Sequence, residues 1–166
     1  MLGVMNLFSI PLHPLLVHEA VALVPAAALL AVAFVLRPDG RWLLRWPTAV
    51  TQAASVVALF AARVTGEGLM HQVMRTATGH QRQLIETHDH WAGALTVATL
   101  GLAASSLLAC WILPSTSALV SGRGARTARN PRLATPTTWL VLLFALATLL
   151  TVVGTGHAGA VATWSA

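Results

Sequence analysis

Four apolar runs, each about as long as a bilayer is thick, dominate this chain. A helix rises ~1.5 Å per residue and must cover ~30 Å of hydrocarbon, so about 20 apolar residues make one span. The runs fall at about 14–36, 47–67, 91–113 and 138–162. Inside lipid the backbone must satisfy its own polar groups, which makes such runs helices. Composition leaves little alternative: of 166 residues, 56% are hydrophobic and 9% charged, where a soluble domain carries about 25% charge. The expected fold is an all-α integral membrane protein, a four-transmembrane-helix bundle forming one domain over 1–166.

The punctuation between runs agrees. His13-Pro14 opens the first run, and proline suits a first helical turn. Pro25 lies mid-span and is expected to kink it. Pro38-Asp39-Gly40 reads as a turn, and Pro114 stops the third run. Between spans two and three the sequence reads as a long polar loop with a short helical piece at Gln81–Glu86, while 115–135 reads as the least ordered stretch. Residues 1–12 are a mildly apolar lead-in with neither a basic n-region nor a small-residue cleavage site, so no cleaved signal peptide is expected. The lone Cys110 excludes an internal disulfide framework and a multi-cysteine metal centre.

Charge sets the expected orientation. The chain has ten arginines, no lysine and a net charge of +5. Seven arginines sit in the loops after spans one and three, which the positive-inside rule makes cytoplasmic. Both termini and the middle loop then face outward. Trp42, Trp46, Trp111 and Trp139 fall at the inner interface and Trp91 and Trp164 at the outer, as an aromatic belt requires. The high Ala and Arg content reads as bacterial, which points to the inner membrane. In that setting the basic charge reports topology and attraction to the lipid bilayer, not nucleic-acid binding.

The functional lead is the stretch from Arg63 to Gly93, which holds four of seven histidines and three of five acids. With His13, His18 and His157, all seven histidines map to the outer half, joined by Glu19, Glu67 and Glu86. Ionisable groups within spans cost ~2.5–3.5 kcal/mol on insertion scales, so they usually face the bundle interior and act there. Imidazoles from separate helices at one depth suit two chemistries. Facing histidines can supply both axial ligands of a b-type haem for electron transfer, with His18, His88 and His157 as candidates, His90 in reserve, and Arg63 on a propionate. Alternatively His13, His18, Glu67, Glu86, His88 and His157 converge on Zn, Cu or Fe. A third reading is a non-catalytic accessory or anchor subunit whose polar layer docks a redox or membrane-complex partner; a homo-oligomer also stays open. No Ser or Cys has a nucleophile's context, so no catalytic residue is assigned and enzyme activity stays an open question.

Each of these residues also has a plainer reading. His71, His80 and His90 suit solvated positions, His13 a helix start, and Arg63 with Glu67 a snorkelling ion pair. Glu86 to Asp89 suits a helix start capped by Thr87 or Asp89. Gly154-Thr155-Gly156-His157-Ala158-Gly159 matches a dinucleotide fingerprint literally but lacks the surrounding βαβ unit. Its small residues better serve close helix contact, letting His157 approach its neighbours. Thr148, Thr151 and Thr155 form a polar stripe on the same helix, suited to inter-helix packing.

His13-Pro14-Leu15-Leu16-Val17-His18, Thr65-Gly66-Glu67, Ile85-Glu86-Thr87-His88 and Gly156-His157-Ala158-Gly159-Ala160 with Trp164 occur in that order. This ordered set resembles the bacterial four-helix membrane family catalogued as domain of unknown function 2231, over most of the chain. The family's first-span motif commonly continues Phe-Pro, where this chain has Glu19-Ala20 and so an added carboxylate. The resemblance implies the four-helix fold and no defined activity. Some relatives look fused or neighbouring to Rieske-type or other redox modules, which by association favours a redox role.

Overall fold

The computed structural model describes residues 6, 7 and 10–165; part of the lead-in at 1–12 lies outside the described residues. A two-residue strand pair, β1 (Asn6–Leu7) and β2 (Ile10–Pro11), runs antiparallel with Asn6 opposite Pro11 and Leu7 opposite Ile10. Four helices follow: α1 (Leu12–Leu36), α2 (Arg41–Val73), α3 (Gly79–Ile112) and α4 (Pro131–Trp164). All four are long and apolar enough to cross a membrane. They form a ring in which α1 packs on α2 and α4, and α3 on α4 and α2, with α1 and α3 across the diagonal.

The helix boundaries follow local chemistry. Leu36 ends α1 one residue before Arg37-Pro38, where the proline ring disfavours helical backbone. Pro38–Gly40 forms a 3-10 turn, as the turn signal predicts. α3 begins at a capping box: the Thr78 and Gln81 side chains each serve the other residue's backbone N–H, with Thr78 N donating to Gln81 Oε1 at 3.1 Å. That cap corrects two expectations. The helix does not start at Thr87 or Asp89; Thr87 Oγ1 donates to Gln83 O inside α3. The long polar loop is mostly helix, because α2 runs on to Val73 and only residues 74–78 separate it from α3. The 115–135 stretch is likewise organised, with a β-bridge between Ser115 and Arg126 and α4 already under way at Pro131.

The bundle is apolar outside as well as inside. Leu29, Val57, Val97, Leu143, Leu150 and Val153 are all more than half exposed. In water this surface would be a severe liability; against hydrocarbon it is the matching solvent. The interior is divided. One apolar cluster at the arginine-rich end joins Ala28, Phe34, Leu102, Val141 and Ala145. A second, toward the other end, joins Val24, Leu59 and Leu95. Between them sit Gln52, Ser55, Thr99 and Thr148, each at most 1% exposed. Gln52 Nε2 donates to Ala27 O at 3.1 Å and Ser55 Oγ to Gln52 O at 2.9 Å, so α2 is tied to α1 at mid-depth.

Two arginines close the opposite end from the histidines. Arg41 is buried and donates to Phe34 O (3.1 Å), Val35 O (2.7 Å) and Pro114 O (3.2 Å). Arg45 donates to Cys110 O and to Leu113 O at 3.2 Å. The last carbonyls of a helix have no partner of their own and carry partial negative charge. These guanidiniums supply both missing donors and compensating charge for α1 and α3.

Candidate functional site

The inward-turned histidines are His13 and His88. His13, in the first turn of α1, is half-buried and its Nδ1 lies 3.0 Å from Ala62 O on α2. Thr65 Oγ1 stands 3.4 Å from the same nitrogen. The ring fits because residue 66 is glycine: a Cβ there would lie 2.8 Å from His13 Cε1. His88 on α3 mirrors this against α4. Its Nδ1 lies 3.1 Å from Thr155 O, and a Cβ at Gly159 would come within 3.0 Å of its Cε1. In both rings a backbone carbonyl accepts the Nδ1 proton. The lone pair then resides on Nε2, the arrangement that prepares an imidazole to bind a metal.

Arg63 follows Ala62, whose carbonyl meets His13, and pairs with Asp89, the residue after His88. Its Nε is 3.2 Å from Glu67 Oε1 and its Nη2 3.7 Å from Asp89 Oδ1, which joins α2 to α3. The expected i,i+4 pair is present; the link to Asp89 has no signature in the sequence, because nothing in the spacing of 63 and 89 sets the register between two helices. Arg63 Nη1 is buried with no hydrogen-bond partner among the described residues.

The other candidates lie elsewhere. His18 is exposed and its Nδ1 contacts its own helix, 2.6 Å from Pro14 O. His157 is exposed on α4. His90, His71, His80, Glu19, Glu67 and Glu86 are exposed as well. Among the described residues, no three His, Cys, Asp or Glu side chains form a group able to hold a metal ion. The structure therefore does not gather His18, His88 and His157, nor the six-residue His/Glu set. The cause is helical rotation. His13 and His18 are five residues apart, and at about 100° per residue they point some 140° from one another. His157 is two residues from both Thr155 and Gly159, the positions that face His88, so it points away from them.

The glycine-rich stretch on α4 works as close packing with different visitors from those expected. Trp91 occupies the space left by Gly154, where a Cβ would lie 2.5 Å from its ring, and His88 that left by Gly159. It is α3 that approaches α4, through Trp91 and His88, while His157 is exposed. On the same helix Thr151 and Thr155 bond back to Ala147 O and Thr151 O, while Thr148 is fully buried. Comparison of the chain with family models, with curated proteins and with solved structures returns no match to any of them.

Proposed function

We propose that this chain is a multi-pass protein of the bacterial inner membrane in which His13 and His88 hold a b-type haem near the outer face for electron transfer. The observation that carries this reading is the pair of imidazoles on diagonal helices, each with Nδ1 committed to a carbonyl on a third or fourth helix and, among the described residues, no hydrogen bond to Nε2. The residues fit the group in a second respect: the buried, unpartnered Nη1 of Arg63 is a donor suited to a propionate. Bound there, haem supplies one-electron chemistry. The protein holds the ring orientations and sets the charge beside the site. Relative to the sequence expectation, His13 replaces His18 and His157 as the partner of His88. The carboxylate-rich metal reading has less support, since Glu67 and Asp89 turn to Arg63.

The same proposal places the arginine-rich end in the cytoplasm and both termini outside. It also accommodates the four-helix family that the motif order resembles. One observation favours an added docking role. At ~1.5 Å per residue, helices of 33 and 34 residues (α2 and α3) reach about 50 Å, against ~30 Å of hydrocarbon. The α2–α3 end therefore stands above the membrane, carrying exposed His71, His80, Arg82 and Glu86 for a redox partner to touch.

Purification from haem-replete cells tests the reading. The expected result is a Soret band and a pyridine haemochrome of haem b, lost in H13A and in H88A but kept in H18A and H157A. A colourless, haem-free protein overturns the proposal, as does loss of haem in H18A or H157A with retention in H13A. Circular dichroism on each variant separates haem loss from unfolding.

A further inference from the structure

The arginine-rich end contains a cavity of about 200 Å³ lined by Trp42, Arg45, Trp46, Gly124 and Arg126. Its shape is built, not incidental. Backbone pairing of Ser115 with Arg126 (3.0 and 2.9 Å) and donation from Ser115 Oγ to Gly124 O (2.8 Å) fold the α3–α4 connection back against the start of α2. Gly124 has φ +91°, and a Cβ there would meet Trp42 Cβ at 3.2 Å, so the connection can approach this closely only with glycine.

The electrostatics of the cavity are one-signed. Trp42, Arg45 and Trp46 share one face of the first turns of α2, and Arg126 approaches from the connection. Arg45 is anchored by the α3 carbonyls, whereas Arg126 is exposed and pairs with no carboxylate among the described residues. This end of the chain holds Arg37, Arg41, Arg45, Arg123, Arg126, Arg129 and Arg132 against a single acid, Asp39, whose Oδ1 accepts from Thr116. Trp46 is 75% exposed and Trp111 and Trp139 are exposed at the same end, the level at which indoles meet lipid headgroups.

We infer that this cavity binds the phosphate of an anionic membrane lipid, with Arg126 donating to the phosphate oxygens, Arg45 adding a second positive charge, and the Trp42 and Trp46 indoles flanking the glycerol region. Guanidinium is the side chain best matched to phosphate oxygens, and an indole is apolar on its faces and polar at its N–H. The inference is independent of the histidine site, which lies at the opposite end of the bundle.

Native mass spectrometry of the full chain in detergent, titrated with dioctanoylphosphatidylglycerol, reads the site directly. The expected result is one tight lipid adduct whose affinity falls about five- to tenfold in R126Q. R132Q, on the same end but outside the cavity, should change it less than twofold. Dioctanoylphosphatidylcholine, which keeps the phosphodiester but has no net charge, should bind more weakly than the anionic lipid. Equal binding by R126Q and the parent overturns the inference, and so does an equal loss in R132Q, which would mean bulk charge only. Full competition by inorganic phosphate at concentrations equal to the lipid also overturns it, because the site would then recognise the free anion and not the lipid.

Discussion

Gly159 and Gly156 sit three residues apart on one helix, and only the first has a neighbour to admit. A Cβ at 159 would meet His88 Cε1 at 3.0 Å and Nδ1 at 3.1 Å, while one at 156 would meet nothing within 4 Å. Forcing an extra methyl into packed surroundings costs about 1–3 kcal/mol, whereas Ala for Gly in an open helical position gains up to ~1 kcal/mol. G159A should therefore lower the melting temperature in detergent and G156A should leave it unchanged or raise it. Equal behaviour of the two would contradict the placement of His88. Arg63 gives a second prediction at this scale. Charged hydrogen bonds contribute about 1.5–3 kcal/mol, so R63Q should weaken haem retention at least tenfold in an apo-protein titration while leaving the helical content intact. An unchanged affinity would remove Arg63 from the site. The sequence singles out Arg63 but does not distinguish the two glycines, since their roles depend on which residue of another helix arrives opposite.

Helix ends carry the next level of organisation. The carbonyls that terminate α1 and the chain leaving α3 are served by one buried guanidinium, Arg41. Removing it strands several buried acceptors, at about 1–3 kcal/mol each in unfavourable cases. R41A should lower the melting temperature by several degrees, at roughly 2–4 °C per kcal/mol for a chain of this size. R41K should rescue little, because an ammonium lacks the fork that reaches three carbonyls at once. A melting temperature within a degree of the parent would refute the capping role. At mid-depth the Gln52–Ala27 bond is the counterpart between α1 and α2. Inter-helix hydrogen bonds in membranes contribute about 0.6–2 kcal/mol, so Q52A should destabilise modestly and chiefly by loosening this pair. The α2–α3 junction shows where sequence reading fell short. Polarity after Gly66 reads as a loop, yet a helix that leaves the apolar layer has no reason to stay apolar, and the capping box at Thr78 marks the start of the next one.

For the whole molecule, the asymmetry between ends is the governing property. Seven arginines and one acid occupy one end, and all seven histidines belong to the other half. Under the positive-inside rule this predicts sidedness. In a C110A background, H80C should react with an impermeant maleimide in intact spheroplasts and S117C only after lysis; the reverse pattern would invert the orientation. Four long apolar helices were legible because span length and hydropathy are local properties of the chain, set by bilayer thickness and the cost of unpaired backbone. The existence of a polar layer was legible for the same reason. What the sequence could not determine is which members of that layer meet. A turn of ~100° per residue separates facing from outward positions, and helix rotation is fixed by side-chain packing between helices, not by any one of them. Glycines at 66 and 159 leave room for the His13 and His88 rings between helices, and the same rotations leave His18 and His157 on the surface.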